Sequence, residues 1–186
     1  MPVRVIAGTA RGRKLKLVPG TGTRPVMDRV KEALFSILGA GIIDSAFLDL
    51  FAGTGSVGIE ALSRGAARAV FVENARAATR TIEANLALTR LEDRAEIVRA
   101  DVLAYLAAGL REAFDYIYIA PPQYRGLWRD TLLQIDRMPG FLNPDGLAIV
   151  QIDPQEYQPV PLEMLVAYDE RRYGNTLLWF LQRPGE

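Results

Sequence analysis

The chain has 186 residues, 49% apolar and 24% charged, with 22 basic and 22 acidic side chains and neither cysteine nor histidine. That length suits one compact domain, and the composition excludes disulfides, thiolate or imidazole metal sites, Ser-His-Asp triads and every cysteine-nucleophile mechanism. No run approaches the roughly 20 apolar residues of a membrane span, and the opening Met-Pro-Val-Arg-Val-Ile-Ala-Gly lacks an apolar signal core, so a cytoplasmic protein with no metal site is expected.

The balanced charge hides an asymmetry. Residues 1–38 hold eight basic side chains (Arg4, Arg11, Arg13, Lys14, Lys16, Arg24, Arg29 and Lys31) against Asp28 and Glu32, a local +6 that leaves −6 for the rest. A basic arm on an acidic body suits a phosphate-bearing partner. Val3–Ala7 and the stretch Arg13-Lys14-Leu15-Lys16-Leu17-Val18, with Gly8 and Gly12 between them, predict a small basic β-hairpin. Pro19 to Pro25 reads as loop, so the arm is placed at 1–22 and the main domain at 23–186. Val26, Val30, Leu34, Ile37 and Leu38 then recur at helical spacing.

From there strand and helix alternate. Strands are predicted at Ala46–Phe51, Arg68–Glu73, Ala95–Ala100, Phe114–Ile119 and Gly146–Ile152, and helices at Val57–Arg64, Ala75–Thr89, Val102–Leu110 and Leu127–Met138. Single helices between short apolar strands imply a parallel sheet covered on both faces. The tail differs: Leu162–Tyr168 and Thr176–Leu181 are joined by a turn too short for a crossover, so they should pair antiparallel.

Gly53-Thr54-Gly55-Ser56-Val57-Gly58 matches G-x-G-x-x-G between the first strand and its helix. Such glycines permit a tight turn and close approach of a ligand to the backbone. Glu73 lies twenty residues past Gly53 at the next strand's end, where a carboxylate can accept from ribose hydroxyls. A nicotinamide dinucleotide and S-adenosylmethionine both want that acid. Asp49 separates them, because an anion is poorly placed beside a pyrophosphate but suits the cationic amino-acid end of S-adenosylmethionine. Asp101, after the third strand, is placed to accept from an adenine amine, although Glu73 and Asp101 could equally be helix N-caps. The candidate cofactor residues are Asp49, Phe51, Ala52, Gly53, Gly55, Glu73, Asn74, Asp101, Val102 and Ala120.

The fourth strand ends in Ala120-Pro121-Pro122-Gln123-Tyr124. Prolines terminate strands, having fixed φ and no N–H. Beside a methyl-donor loop, the rigid carbonyls they present can also accept from the exocyclic amine of a base. Acceptors on a delocalised amine favour its pyramidal, nucleophilic form, and positioning does the rest. A base taken from a duplex would be held by aromatic faces. Tyr124 is a candidate for that role, and Trp128 is expected to pack its helix onto the sheet. Ala120, Pro121, Pro122 and Tyr124 are the candidate catalytic residues.

Arg4-Val5-Ile6-Ala7-Gly8, Arg11-Gly12-Arg13, Thr23-Arg24-Pro25, Asp28-Arg29-Val30-Lys31-Glu32-Ala33-Leu34-Phe35 and the run from Asp49 to Gly65 resemble the RsmD family, bacterial methyltransferases of small-subunit ribosomal RNA. The resemblance covers nearly the whole chain. It implies a Rossmann-like class I methyltransferase, an α/β fold with a seven-stranded, mostly parallel sheet, a C-terminal antiparallel hairpin and an N-terminal basic hairpin. It implies S-adenosylmethionine as methyl donor and the N2 amine of a guanine in 16S rRNA as acceptor, within the small subunit or its assembly intermediate, and a monomer is expected. Arg11, Arg13, Lys14, Arg24 and Arg29 are the candidate RNA contacts. One departure stands out: the family's fourth-strand motif is Asp-Pro-Pro followed by Tyr or Phe, whereas here Ala120 lacks the carboxylate and Tyr124 comes one place late. Two other readings follow, an rRNA-binding assembly factor that methylates poorly, and a nicotinamide-dependent oxidoreductase. Guanine and adenine acceptors are not separated by the residues themselves.

Overall fold

Every side chain of β1 (Ala46–Leu50) is buried, which a strand achieves only inside a sheet covered on both faces. The computed structural model, which describes residues 2–20, 25–109 and 112–185, places β1 inside the sheet, third of its seven strands. Around it lie β2 (Arg68–Glu73), β3 (Ala95–Arg99), β4 (Phe114–Ile119), β5 (Leu142–Ile152), β6 (Val166–Tyr173) and β7 (Thr176–Gln182), in the order β3-β2-β1-β4-β5-β7-β6. The first five strands are parallel, and β7 pairs antiparallel with both β5 and β6. This is the expected seven-stranded mixed sheet. Arg24 and the expected boundary at 22/23 lie outside the described residues.

The two-residue period of the strands divides the core. Phe47, Phe71, Tyr116, Tyr118 and Phe180 pack against α1 (Asp28–Leu38), α2 (Ser56–Ser63) and α3 (Arg76–Thr89). Leu48, Leu50, Val70, Ile117 and Val150 face the opposite way, onto α4 (Val102–Ala107) and α5 (Leu127–Arg137). Trp128 belongs to that second layer, 1% exposed and edge-on to Trp179 with ring centroids 6.3 Å apart, so it packs its helix onto the sheet as expected. The edge strand β6 carries Asp169, Glu170, Arg171 and Arg172, charges that discourage a foreign strand from pairing there. No helix among the described residues is long and apolar enough to cross a membrane.

Three elements differ from expectation. The basic hairpin turns back antiparallel, with Val5 N donating to Arg13 O (3.0 Å) and Leu15 N to Val3 O (2.8 Å), but it forms only the isolated bridge Arg4–Lys14 rather than two regular strands. Ile6 N and Ala7 N donate instead to the Glu60 carboxylate of α2 (2.9 and 3.0 Å), Ala10 N to Ser63 Oγ (2.9 Å) and Thr9 N to Ser63 O (2.9 Å). Strand β6 begins at Val166 instead of Leu162. The amides of Glu163, Met164 and Leu165 are claimed by the buried carboxylate of Asp136, at 2.8, 2.9 and 2.8 Å, and cannot join a ladder. Strand β5 starts four residues earlier than its apolar run because Leu142 pairs with Phe114 across a register shift.

Candidate active site

At the end of β1 the chain turns through three left-handed residues, Phe51 (φ +61°), Gly53 (φ +57°) and Gly55 (φ +78°), before α2 begins. A left-handed aromatic residue stores strain of order 1–3 kcal/mol, a feature concentrated at functional sites. A Cβ on Gly53 would meet nothing within 4 Å, so the backbone there is open to a ligand. Gly58 has a different task. A Cβ there would sit 2.4 Å from the Phe71 ring and 3.1 Å from Asp49 Oδ2, so this glycine lets α2 lie directly on β1 and β2.

Asp49, Glu73 and Asp101 stand at the carboxyl ends of β1, β2 and β3, each with a backbone partner. Asp49 is 2% exposed and accepts from Gly58 N at 3.0 Å. Burial pushes its pKa up to about 8, the neighbouring Glu73 adds to the rise, and the Gly58 amide opposes it. The buried acid is therefore poised to ionise when a cation arrives. Glu73 ties the glycine loop to the end of β2, its Oε2 accepting from Gly53 N (2.9 Å) and its Oε1 from Ala75 N (3.0 Å). Each oxygen keeps a further lone pair for a hydroxyl. Asp101 takes the capping role anticipated as its alternative, accepting from Ala104 N at 2.9 Å at the start of α4. Asn74 is exposed after the end of β2, while Val102 and Ala52 are buried in the cores on opposite faces of the sheet.

The remaining candidate residues follow β4, which pairs with β1. Ala120 and Pro121 are half-buried and Pro122 is exposed. Tyr124 is 64% exposed and left-handed at φ +61°. Its amide donates to Glu156 Oε1 and its hydroxyl to Asp153 Oδ2, each at 2.7 Å.

A family model described as "Conserved hypothetical protein 95" matches residues 3–182. The chain is 36% identical to Ribosomal RNA small subunit methyltransferase D of Escherichia coli K12, over 99% of this chain and 91% of that protein. It is 38% identical to YlbH of Bacillus subtilis, named as a candidate rRNA methyltransferase, over 98% of this chain and all of that protein. A solved E. coli structure, YhhF, superposes over the full length of both chains with a TM-score of 0.85 and 32% identity. The chain belongs to the RsmD family of methyltransferases. A Salinibacter ruber RNA methyltransferase solved with S-adenosylhomocysteine shares the fold at a TM-score of 0.65 and 14% identity.

In this RsmD-family chain the basic arm is less charged at its surface than a residue count suggests. Arg11, Arg13 and Lys14 are exposed, and their side chains make no hydrogen bond or ion pair among the described residues. Arg29 is exposed and lies over the Tyr173 ring at 5.9 Å. Arg4, however, is paired with Asp28 at 2.8 Å. Lys31 is wholly buried, 3.4 Å from Glu60 Oε2 and 2.6 Å from Arg4 O, and burial lowers its pKa. Its helical position off the apolar stripe gave no sign of this, because the arm covers that face.

Two further buried side chains anchor the arm, and one of them also reaches the loop. Glu60 on α2 accepts from the arm amides, from Lys31 and from Arg64. Asn85 on α3, fully buried, accepts from Lys16 N (2.7 Å) and donates to Lys16 O (3.1 Å) and to Thr54 O in the glycine loop (2.9 Å). Asn85 reads in sequence as one polar residue in a helix. Only its depth reveals that arm and loop share it.

Proposed function

We propose that this chain methylates the N2 amine of a guanine in 16S rRNA, in the small ribosomal subunit or an assembly intermediate. The observation that carries the reading is the single buried Asn85, which joins an arginine-bearing arm to the glycine loop of a methyltransferase fold. Nucleic acid held by the arm is thereby held in register with the loop. The named specificity of the E. coli relative, small-subunit ribosomal RNA, supports the substrate class.

S-adenosylmethionine is the methyl donor, supplying an electrophilic methyl group on a positively charged sulfonium. The crevice fits it. Gly53 leaves open space at the loop, Asp49 is a buried acid awaiting a cation, and Glu73 offers lone pairs to hydroxyls. Phe51, Ala52, Gly55, Asn74, Asp101, Val102 and Ala120 complete the proposed cradle. Across from it, the carbonyls of Ala120 and Pro121 accept from the acceptor amine and favour its nucleophilic geometry. Tyr124 offers its ring to the base. Arg11, Arg13, Lys14, Arg24 and Arg29 engage backbone phosphates.

The direct test is incubation with undermodified 30S subunits and labelled donor, followed by mass mapping of the RNA. One N2-methylguanine in 16S rRNA is the expected product. Methylation at an adenine would displace the acceptor assignment. RNA binding with no transfer would favour an assembly factor, the reading that Ala120 raises by withholding a carboxylate. Thermal stabilisation by NAD but not by S-adenosylmethionine would move the chain to the oxidoreductases.

A further inference from the structure

The late aromatic residue after β4 has a structural answer. One extra residue between Pro122 and Tyr124 would, in an extended chain, turn the ring to the other side. Here Tyr124 adopts φ +61°, a conformation unfavourable for a bulky residue, and two carboxylates from beyond β5 hold it there. Glu156 takes the amide and Asp153 the hydroxyl, both at 2.7 Å. Asp153 is itself fixed, its other oxygen accepting from Gln155 N at 2.9 Å in the short turn Pro154–Glu156. The grip leaves 64% of Tyr124 exposed at the carboxyl edge of the sheet.

We infer that Asp153 and Glu156 are positioning residues for the acceptor base: gripping Tyr124 at hydroxyl and amide, they set its ring as the platform on which the base stacks. The inference rests on the methyl-transfer reading above. The hydroxyl keeps its proton, since hydrogen bonding to Asp153 raises the Tyr124 pKa while the Gln155 amide and the Tyr124 hydroxyl lower that of Asp153. A tethered ring is preorganised, so less freedom is lost when the base arrives. Neither carboxylate is used elsewhere in the proposed chemistry.

Single-turnover methyl transfer to undermodified small subunits separates the possibilities, with S-adenosylhomocysteine affinity and melting temperature measured alongside. Tyr124→Ala should lower kcat/KM for the subunit by about 10- to 100-fold, the worth of one base–aromatic stack. Tyr124→Phe and Asp153→Ala should each cost about fivefold, and the double variant no more than either alone, because both remove one contact. Asp153→Asn, which keeps an acceptor oxygen, should restore the rate to within about twofold. Cofactor affinity should not move in any of them, and melting temperature should not move in the Tyr124 variants or in Asp153→Asn, while Asp153→Ala should lose a little stability with the Gln155 cap. Full activity in Tyr124→Ala, or additive losses in the double variant, would overturn the inference while leaving methyl transfer intact. A wild-type protein that transfers nothing would instead defeat the methyl-transfer reading, and the platform with it.

Discussion

Asp49→Asn isolates the electrostatics of the proposed cofactor site. The wild-type carboxyl has its pKa raised from 3.8 to about 8 by burial, so between those values the folded protein holds a proton that the unfolded chain releases. Stability from this group is therefore full below about pH 4, declines as pH rises and levels off above about pH 8. At about 1.4 kcal/mol per pH unit, the window as a whole is worth on the order of 5 kcal/mol. Asparagine keeps an acceptor for the Gly58 amide and has nothing to titrate. Between pH 5 and pH 8 the variant should therefore gain on the wild type by on the order of 4 kcal/mol. In a domain of this size that is roughly 10 °C in melting temperature. Calorimetric melts of both proteins across that range, without ligand, cancel the contributions of all other groups. S-adenosylmethionine titrations complete the test: wild-type affinity should tighten towards pH 8, up to about tenfold per unit, while the variant binds weakly and without that slope. Parallel melting profiles for the two proteins would refute the picture of a neutral buried acid awaiting a cation.

Other substitutions probe the remaining parts. Gly58→Ala places a methyl 2.4 Å from the Phe71 ring and should lower the melting temperature and weaken S-adenosylhomocysteine binding together, by prising α2 from the sheet. Neutralising Arg11, Arg13 and Lys14 with glutamine should leave melting unchanged, since none has an intramolecular partner among the described residues, yet flatten the salt dependence of RNA affinity by about two to three in log–log slope. An unaltered slope would remove the arm from the RNA interface. Asn85→Ala strands Thr54 O and the backbone N–H and C=O of Lys16, at about 1–3 kcal/mol for each buried group left unpaired. Cofactor affinity should fall along with stability, and unchanged affinity would confine Asn85 to holding the arm.

What the sequence disclosed and what it hid follow from the range of the interactions. Period and punctuation are local, so the alternation from Ala46 to Ile152 was legible, as were the glycine loop and the antiparallel tail. Glu73 and Asp101 were legible as acids at strand ends, and the capping alternative for Asp101 was also visible, because a cap reaches only three residues. The main-chain partners of Glu60, Asn85 and Asp136 lie between 27 and 69 residues away, and nothing in the sequence around these three distinguishes them from solvated polar residues. Each satisfies main-chain donors of an irregular segment: the arm for Glu60 and Asn85, the stretch before β6 for Asp136. That is why the hairpin and the start of β6 depart from the expected strands. A regular strand spends its amides on neighbours that alternation can predict. A segment whose amides go to a distant carboxylate has no such period. Tyr124 belongs to the same class. Its late position reads as a defect of the β4 motif until Asp153 and Glu156, 29 and 32 residues on, supply the contacts that hold it.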